Sequence, residues 1–588
     1  MSKRWAISEP DGRCEMLATH AGISQQMAQL LLNRNICNIH KAKEYLAPGL
    51  EQLQKPHLLP GLEAAVYDIL EAVNQKRKIT IWGDYDVDGI SGTTILYKAL
   101  KFLAADVHYY IPSREEGYGL NVQGVEKIIS DGTTVIVTVD CGITGIDAAT
   151  ICSVHGTDLI ITDHHEWKEN LPSCRHCIHP RIVMTPNSHL SQKIKNPYTN
   201  PDLCGAGVAF KIAWGLGIAF TTPRDQFADG KVSDEFRVLL FDLMAFAAMG
   251  TIADVVSLVG ENRVIAHHGL VHLANTPFIG VRALLRVAGF DGKELDGYAV
   301  GFGLAPRINA ASRMDTPDTA IKLFLGEGIN TVAQADELAV VLDQQNRRRQ
   351  ESEKLITEQA IASAEKVKGK YSVVVSDPEW KSGIVGIVAS RLVDHFQLPT
   401  LVLVETDGEL HGSGRSIEGF NLLEALNHCK DLLGRFGGHA MAAGVKLNKK
   451  NYVEFLTRFD AYSASVLSKI DLTPSIKIDL EVSLSDLTKS FVQDVKKLGP
   501  FGPNNRKPLF IVRSVTPIEV KTIGKDANHL CFQLGDGKST MKALWFKHGE
   551  QASLLSSGQK IDVVFEPTIN EFRGSSNVEL MIQDLRIA

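Results

Sequence analysis

The chain has 588 residues, 44% of them hydrophobic and 22% charged. Those proportions exclude a disordered chain or a fibrous repeat, and the length predicts about three to five domains. The net charge of −6, from 62 basic and 68 acidic residues, argues mildly against a large nucleic-acid footprint. It does not decide the partner, because acids gathered in a metal site would mask a basic groove elsewhere. No apolar run approaches the ~20 residues of a membrane span, and MSKRWAISEP lacks the apolar stretch of a secretory signal. Nine cysteines, an odd number, are too few for a disulfide scaffold. A reducing, cytoplasmic setting is the expectation.

The first 60 residues read as helical, with apolar residues spaced through SQQMAQLLLNRNI and HKAKEYL. Pro48, Pro56 and Pro60 end that pattern, and a helix is predicted over Leu62–Asn74. From Lys78 strands and helices alternate. KITIWGDYD, ADVHYYIP, TVIVTVD and TDLIITDHH read as strands separated by helices, the pattern of a doubly wound parallel sheet. Residues 205–290 read as mainly helical. A long polar helix is predicted from about Val332 to Val367, carrying Arg347, Arg348 and Arg349 as a bridge between lobes. A second α/β region ends near Val466. Six short strand candidates follow Pro474, separated by turn residues, and suggest a small β-barrel. The expected divisions are a helical segment 1–60, an α/β domain 61–330, the helix 331–367, a smaller α/β domain 368–466 and a barrel 467–588.

Three of the strands in the first domain end in acids or histidines, where open α/β sheets gather ligands. GDYDVDG sets Asp84, Asp86 and Asp88 just after a strand, with Gly83 and Gly89 permitting a tight backbone. A calcium loop of the EF-hand type would need Glu at position 95, which is Ile. Asp140 ends TVIVTVD, Asp163, His164 and His165 end DLIITD, and Asp254 lies in MGTIADVV. Each alone reads as a turn or cap residue. Together they form a donor set suited to Mn²⁺ or Mg²⁺, and a pair of such ions ~4 Å apart activates water against a phosphate. Cys174 and Cys177, near His176 and His179, lack the further ligand pair of a zinc site.

GDYDVDG, VTVDCG, TDHH and TIADVV resemble, in order, the motifs of the DHH phosphoesterase superfamily. PRINAASRM, WKSGIVGIVASRL, GSGRS, FGGHAMAAGV and FGPNNRKPLF further resemble the RecJ family of bacterial single-strand-specific exonucleases. The resemblance runs from about Leu62 to the C-terminus. It implies a DHH domain, a DHHA1 domain and an OB-like barrel. It also implies a two-ion Mn²⁺ or Mg²⁺ centre held by Asp86, Asp88, Asp140, His164 and Asp254, with Asp140 bridging. Asp84 and His165 belong to the same motifs, and His165 is assigned to the scissile phosphate. Asn309, Arg313, Arg391, Arg415, Gly438 and His439 become candidate contacts to DNA phosphates. Phe532, Trp545 and Phe546 become candidate base platforms in the barrel, with core packing the expectation for at least one of the last two. Ser312, Lys381, Asn504 and Arg506 depart from the family pattern, and none of them removes a candidate ligand.

The activity this implies is 5′→3′ hydrolysis of single-stranded DNA to 5′-mononucleotides in recombination and repair. A monomer is expected, with a single-strand-binding protein and a RecQ-type helicase as partners and no membrane. Two other readings stand beside it. One is a DHH phosphodiesterase acting on short oligonucleotides or cyclic dinucleotides. The other is a non-enzymatic DHH scaffold.

Overall fold

The structure, a computed structural model, describes residues 3–182, 196–367, 369–572 and 575–588. It begins with a strand, β1 (Arg4–Ile7), before the helices α1 (Cys14–Ala21), α2 (Gln25–Leu32) and α3 (Ile39–Leu46). The wholly helical reading of the N-terminus therefore needs correction. So does its independence. β1 pairs in parallel with the segment Ser475–Ile478. Leu17, Met27, Leu30 and Leu31 share one apolar cluster with Val482, Phe510, Phe532 and Trp545 of the C-terminal barrel. Short amphipathic helices have no core of their own, and this is where they bury their apolar face.

α4 (Leu62–Asn74) leads into β2 (Ile79–Gly83), α5 (Val87–Phe102), β3 (Val107–Tyr110), α6 (Val122–Ser130), β4 (Val135–Val139), α7 (Ile146–Val154), β5 (Asp158–Thr162) and β6 (His176–Ile178). The five strands are parallel in the order β3-β2-β4-β5-β6. β2 and β4 are buried along their whole length. Their continuous β-branched runs belong between two helical layers, where neither face meets water. The chain leaves β2 toward one edge and returns to start β4 on its other side. The crevice above β2 and β4 is therefore the switch point at which such sheets bind ligands.

The helices α8 (Gly205–Thr221), α9 (Asp234–Ala253), α10 (Gly260–Ala274), α11 (Ile279–Ala288), α12 (Ala305–Met314) and α13 (Asp318–Leu325) complete this domain. α9 is long and apolar enough to cross a membrane by length and composition, so the expectation that no run approaches that length does not hold. Most of its apolar window is buried in the protein, with Phe236, Leu243, Met244 and Phe246 in the main core. Lys211 of α8 is fully buried and pairs with Glu261 of α10, which also accepts from the Tyr198 hydroxyl.

α14 (Val332–Val367) joins two cores: Ala335, Ala339 and Leu342 belong to the first, Ile356, Ala360 and Ala364 to the second. The second domain holds β7 (Val373–Asp377), α15 (Ser382–Phe396), β8 (Thr400–Thr406), β9 (Glu409–Arg415), α16 (Leu422–His428), β10 (Leu433–Gly438), β11 (Ala442–Asn448) and α17 (Tyr452–Leu467). Its sheet order is β10-β11-β9-β8-β7. β12 (Ser475–Ile478), β13 (Leu480–Glu481) and α18 (Lys489–Lys496) open the last domain, followed by β14 (Phe510–Ile523), β15 (His529–Gly535), β16 (Thr540–Trp545), β17 (Ile561–Phe572) and β18 (Ser575–Ile587). β14 pairs with both β15 and β17, and β18 links β16 to β17, so five strands close into a barrel. Phe532 and Trp545 face its core, whereas Phe546 is 48% exposed. Two of the three candidate platforms are thus packing residues.

Leu31→Ala should test the shared core of α2 and the barrel. A loss of about 2–5 kcal/mol in urea unfolding is expected for a fully buried leucine. A near-neutral change would mean that the N-terminal helices are only loosely docked.

Candidate metal centre

β2, β4 and β5 end side by side, and each delivers its acids or histidines to the switch point. After β2 the chain turns into α5, and Asp86 caps that helix: its Oδ1 accepts from Asp88 N at 2.9 Å and Gly89 N at 3.2 Å. Asp88 then points inward, 1% exposed, with its two oxygens accepting Gly205 N at 2.6 Å and Ala206 N at 2.9 Å. These are the free amides of the α8 N-terminus, where a carboxylate is favoured. Asp140 follows β4 in the left-handed conformation (φ 62°), which turns its carboxylate into the crevice. The Tyr118 hydroxyl donates to Asp140 O at 3.0 Å and holds that turn. His164 follows β5, and Asp254 caps the C-terminus of α9.

Seven side chains meet there: Asp84, Asp86, Asp88, Asp140, His164, His165 and Asp254. His164 Nε2 lies 3.0 Å from Asp140 Oδ1, 3.6 Å from Asp254 Oδ2 and 3.8 Å from Asp88 Oδ2. Ligand atoms of Asp84, Asp86 and Asp140 lie within 4.8 Å of one another, as do those of Asp88, His164 and Asp254. Asp140 stands between the two groups. Asp84 Oδ1, Asp140 Oδ1 and His164 Nε2 are buried and make no well-angled hydrogen bond among the described residues, the 3.0 Å approach of the last two being misaligned for one. Buried polar atoms are rarely left so. Three in one acidic cluster are what hard divalent cations would satisfy, so the donor set fits the Mn²⁺ or Mg²⁺ pair. Asp84 belongs to that set by position, though the motif comparison had kept it outside the ligands.

Burial and mutual repulsion push the carboxylates up. Asp84 is raised by burial and then by Asp86, Asp140 by burial and then by Asp88, and Asp254 by burial and then by Asp88. Burial and the neighbouring His165 lower His164 to about 4, which keeps its imidazole neutral and able to ligate. His165 goes the other way. Against its own burial, the hydrogen bond and charge of Asp163 raise it to about 9. Asp163 Oδ1 accepts His165 Nδ1 at 2.8 Å, and its oxygens also accept His164 N and Ile143 N. Asp163 is therefore an orienting residue, and a protonated His165 offers a donor to an anion rather than a lone pair to a metal.

The motifs did not reveal several supports of this geometry. A Cβ at Gly205 would sit 2.5 Å from Asp140 Cβ, and one at Gly250 would strike Asp88 Oδ1. Only the small-residue runs GAG and AAMG hinted at them. Tyr118, and Arg114 with its guanidinium 4.1 Å from the Tyr85 ring centre, carried no motif at all. Asn309 Oδ1 accepts Val87 N at 3.1 Å and so steadies the acidic loop. Arg313 donates to Gly383 O at 2.6 Å, joining this domain to the first turn of α15, and its burial lowers its pKa to about 10. Ser312 accepts Arg114 Nε at 3.2 Å.

On the second domain, GSGRS lies in β9 and FGGHAMAAG in the β10–β11 hairpin. A Cβ at Gly414 would lie 2.5 Å from Leu401 Cδ2, and Gly438 (φ 142°) lies against Ala442 and Ala443 of the facing strand. Arg415 is half-buried, beside Gly386 of α15, and His439 is exposed on the hairpin. Arg391 is engaged in an ion pair with Glu353 of α14 at 2.9 Å. Arg506 binds Asp479 at 3.0 Å and Lys477 O. Cys174 and Cys177 join no candidate metal cluster among the described residues, and His176 is paired with Asp68 at 2.6 Å.

Comparison with known proteins bears on the whole chain. Residues 78–247 match the DHH family N-terminal domain, 367–465 the DHHA1 domain and 478–584 the RecJ OB domain. The single-stranded-DNA-specific exonuclease RecJ of Bacillus subtilis (strain 168) is 35% identical over 593 residues, covering 100% of this chain and 71% of its own. The chain belongs to the RecJ family. The RecJ of Haemophilus influenzae is 31% identical, covering 93% of this chain and 94% of its own. The crystal structure of RecJ from Thermus thermophilus in complex with Mn²⁺ superposes with a TM-score of 0.81 at 28% identity, covering 100% of this chain and 80% of that one. The Mg²⁺ complex of the same RecJ has a TM-score of 0.75.

Two outcomes follow from this RecJ-family centre. Gly250→Ala should sharply weaken Mn²⁺ binding with the fold intact, read by Mn²⁺ EPR and circular dichroism; unchanged binding would mean that Asp88 has room to move. Carboxylates raised in the folded state bind protons that the unfolded chain releases, so their contribution to stability falls as pH rises. His165, raised above an ordinary histidine, acts in the same direction; His164 and His179, both lowered to about 4, act against it, and the several raised carboxylates outweigh them. Metal-free protein should therefore melt lower at pH 8 than at pH 5.5, and Mn²⁺ should raise the melting temperature more at pH 8. Equal shifts at both pH values would contradict the electrostatics.

Proposed function

We propose that this chain is a metal-dependent exonuclease that hydrolyses single-stranded DNA in the 5′→3′ direction to 5′-mononucleotides. The observation that carries the reading is the set of unpartnered buried ligand atoms on Asp84, Asp140 and His164 at the switch point of a RecJ-family sheet. Asp86, Asp88, Asp140, His164 and Asp254 would hold two divalent cations, with Asp84 beside them and Asp140 shared. When bound, such a pair lowers the pKa of water and neutralises charge on the phosphate under attack. The chain's own residues do the rest. Asp88 is locked by the α8 amides, so the site is set before substrate arrives. His165, oriented by Asp163, presents a proton to a phosphate oxygen. Arg313 brings a buried positive charge to the seam between the two α/β domains, facing Asp86 and Tyr85.

The barrel supports a polymeric substrate rather than a dinucleotide, because closed five-strand barrels of this kind bind single strands. We further propose a cytoplasmic, monomeric enzyme of recombination and repair, partnered by a single-strand-binding protein and a RecQ-type helicase. All nine cysteines are free, which suits a reducing interior.

Single-stranded DNA labelled at the 5′ or the 3′ end tests the reading. Wild-type protein with Mn²⁺ should release labelled mononucleotide early from the 5′-labelled strand and late from the other. EDTA or Asp140→Ala should abolish both. Early release from the 3′ label would reverse the polarity, and activity retained by Asp140→Ala would remove the metal centre from the mechanism.

A further inference from the structure

Asp254 is a candidate ligand whose carboxylate has no support of its own. Asp86 caps α5, Asp88 is bound by the α8 amides, and the Asp140 turn is held through Tyr118. The Asp254 carboxylate accepts no hydrogen bond among the described residues. It stands at the very end of α9, and the next residue, Val255, is in the left-handed conformation (φ 60°). For a β-branched residue that conformation is strained and persists only where the surroundings impose it.

Two and three residues further on, the same turn meets the barrel domain. Leu258 N donates to Pro503 O at 2.9 Å, and Asn504 Nδ2 donates to Ser257 Oγ at 3.0 Å. A Cβ at Gly502 would lie 2.6 Å from Leu258 Cδ1, so the barrel segment is pressed against the turn. One helical turn later Arg263, 2% exposed, donates to Lys497 O at 2.9 Å, Gly499 O at 2.6 Å and Tyr45 O at 2.7 Å. Asn262 holds the same turn from within, through Ser257 O at 3.0 Å. Residues 254–263 thus lie between α9 and the barrel segment 497–504. Asn504 is itself left-handed (φ 58°), a conformation that asparagine tolerates and that aims its amide at Ser257.

We propose that the barrel segment Gly502–Asn504 is a positioning device for Asp254, so that the C-terminal domain completes the divalent-cation site as well as facing the strand. The proposal rests on the reading of Asp254 as a metal ligand. It makes Asn504 and Ser257 positioning residues that act through the α9–α10 turn. Deleting the barrel would then damage chemistry and strand binding together, and would also bare the apolar face of α1–α3. Point variants in the full-length chain separate the effects.

Asn504→Gly keeps the backbone conformation and removes the amide; Ser257→Ala removes the acceptor. Free Mn²⁺ is followed by EPR in the absence of DNA, and KM for single-stranded DNA is measured at saturating Mn²⁺. Each variant should weaken Mn²⁺ binding by about tenfold, the low end for residues that orient a metal ligand. The double variant should be no weaker than either single one. KM should not change, and kcat should recover as Mn²⁺ is raised. Gly502→Ala, which pushes on Leu258, should weaken Mn²⁺ in the same way. Unchanged Mn²⁺ affinity with a raised KM would overturn the proposal and leave the segment to DNA alone. Independent, multiplying losses in the double variant would also overturn it. Asp254→Asn is the control for the underlying reading: if it binds Mn²⁺ as tightly as wild type, Asp254 is not a ligand and that reading fails separately.

Discussion

Like charge forced together away from water is the constraint on which this molecule turns. Asp84, Asp88 and Asp140 are each no more than 2% exposed, and Asp86 and Asp254 lie beside them. Removing ions from water costs several kcal/mol each unless opposite charge meets them. Of the neighbouring groups, His164 is held neutral, while His165, Arg114 and Arg313 offset only part of the acidic charge. The cluster is therefore incomplete as protein alone, and divalent cations are the natural complement. Stability at this sheet edge is given up for a site already arranged around its ions.

The fold supplies the force that keeps the acids in place. The β2–β4 switch point brings three strand ends together, and the N-terminus of α8 pins Asp88 with two amides. Missing side chains matter as much as present ones, since Gly205 and Gly250 leave the volume that Asp140 and Asp88 occupy. Farther out, α14 belongs to both α/β cores, Arg313 bonds across the seam, and Arg391 ties α15 to α14. Arg349, in the middle of α14, is 8% exposed and bound to Asn346 and Glu353. A charged helix centre buried at a domain junction is held by its partners, not by water. The N-terminal helices and the barrel share one core and meet the first domain through Arg263. Through these contacts the acids, the second domain and the barrel behave as one assembly.

What was legible in the sequence follows from which signals are local. The apolar runs of β2, β4 and β5 and the polar stretch of α14 are local signals, and they were read to within about three residues. The acids and histidines were legible because they directly follow those strands. The supports were not, since Gly250 and Asp88 are far apart in sequence and meet only through tertiary packing. The packing role of the glycines in β9–β11 was not legible for a related reason. Glycine in a strand looks like a loop until the close approach of the facing strand is known, as at Gly414 against Leu401. Trp545 and Phe532 looked like base platforms, but the barrel needed them as core. The N-terminal helices read as separate because nothing local announces a partner more than 400 residues away.

The central claim is that the buried acids at the β2–β4 crevice exist to hold a pair of divalent cations. Crystals grown with Mn²⁺ and measured at the manganese absorption edge test it most directly. The account predicts two anomalous peaks ~4 Å apart, one bounded by Asp84, Asp86 and Asp140 and the other by Asp88, His164 and Asp254, with Asp140 touching both. An ordered crevice without anomalous density, or manganese bound only elsewhere on the protein, would contradict it.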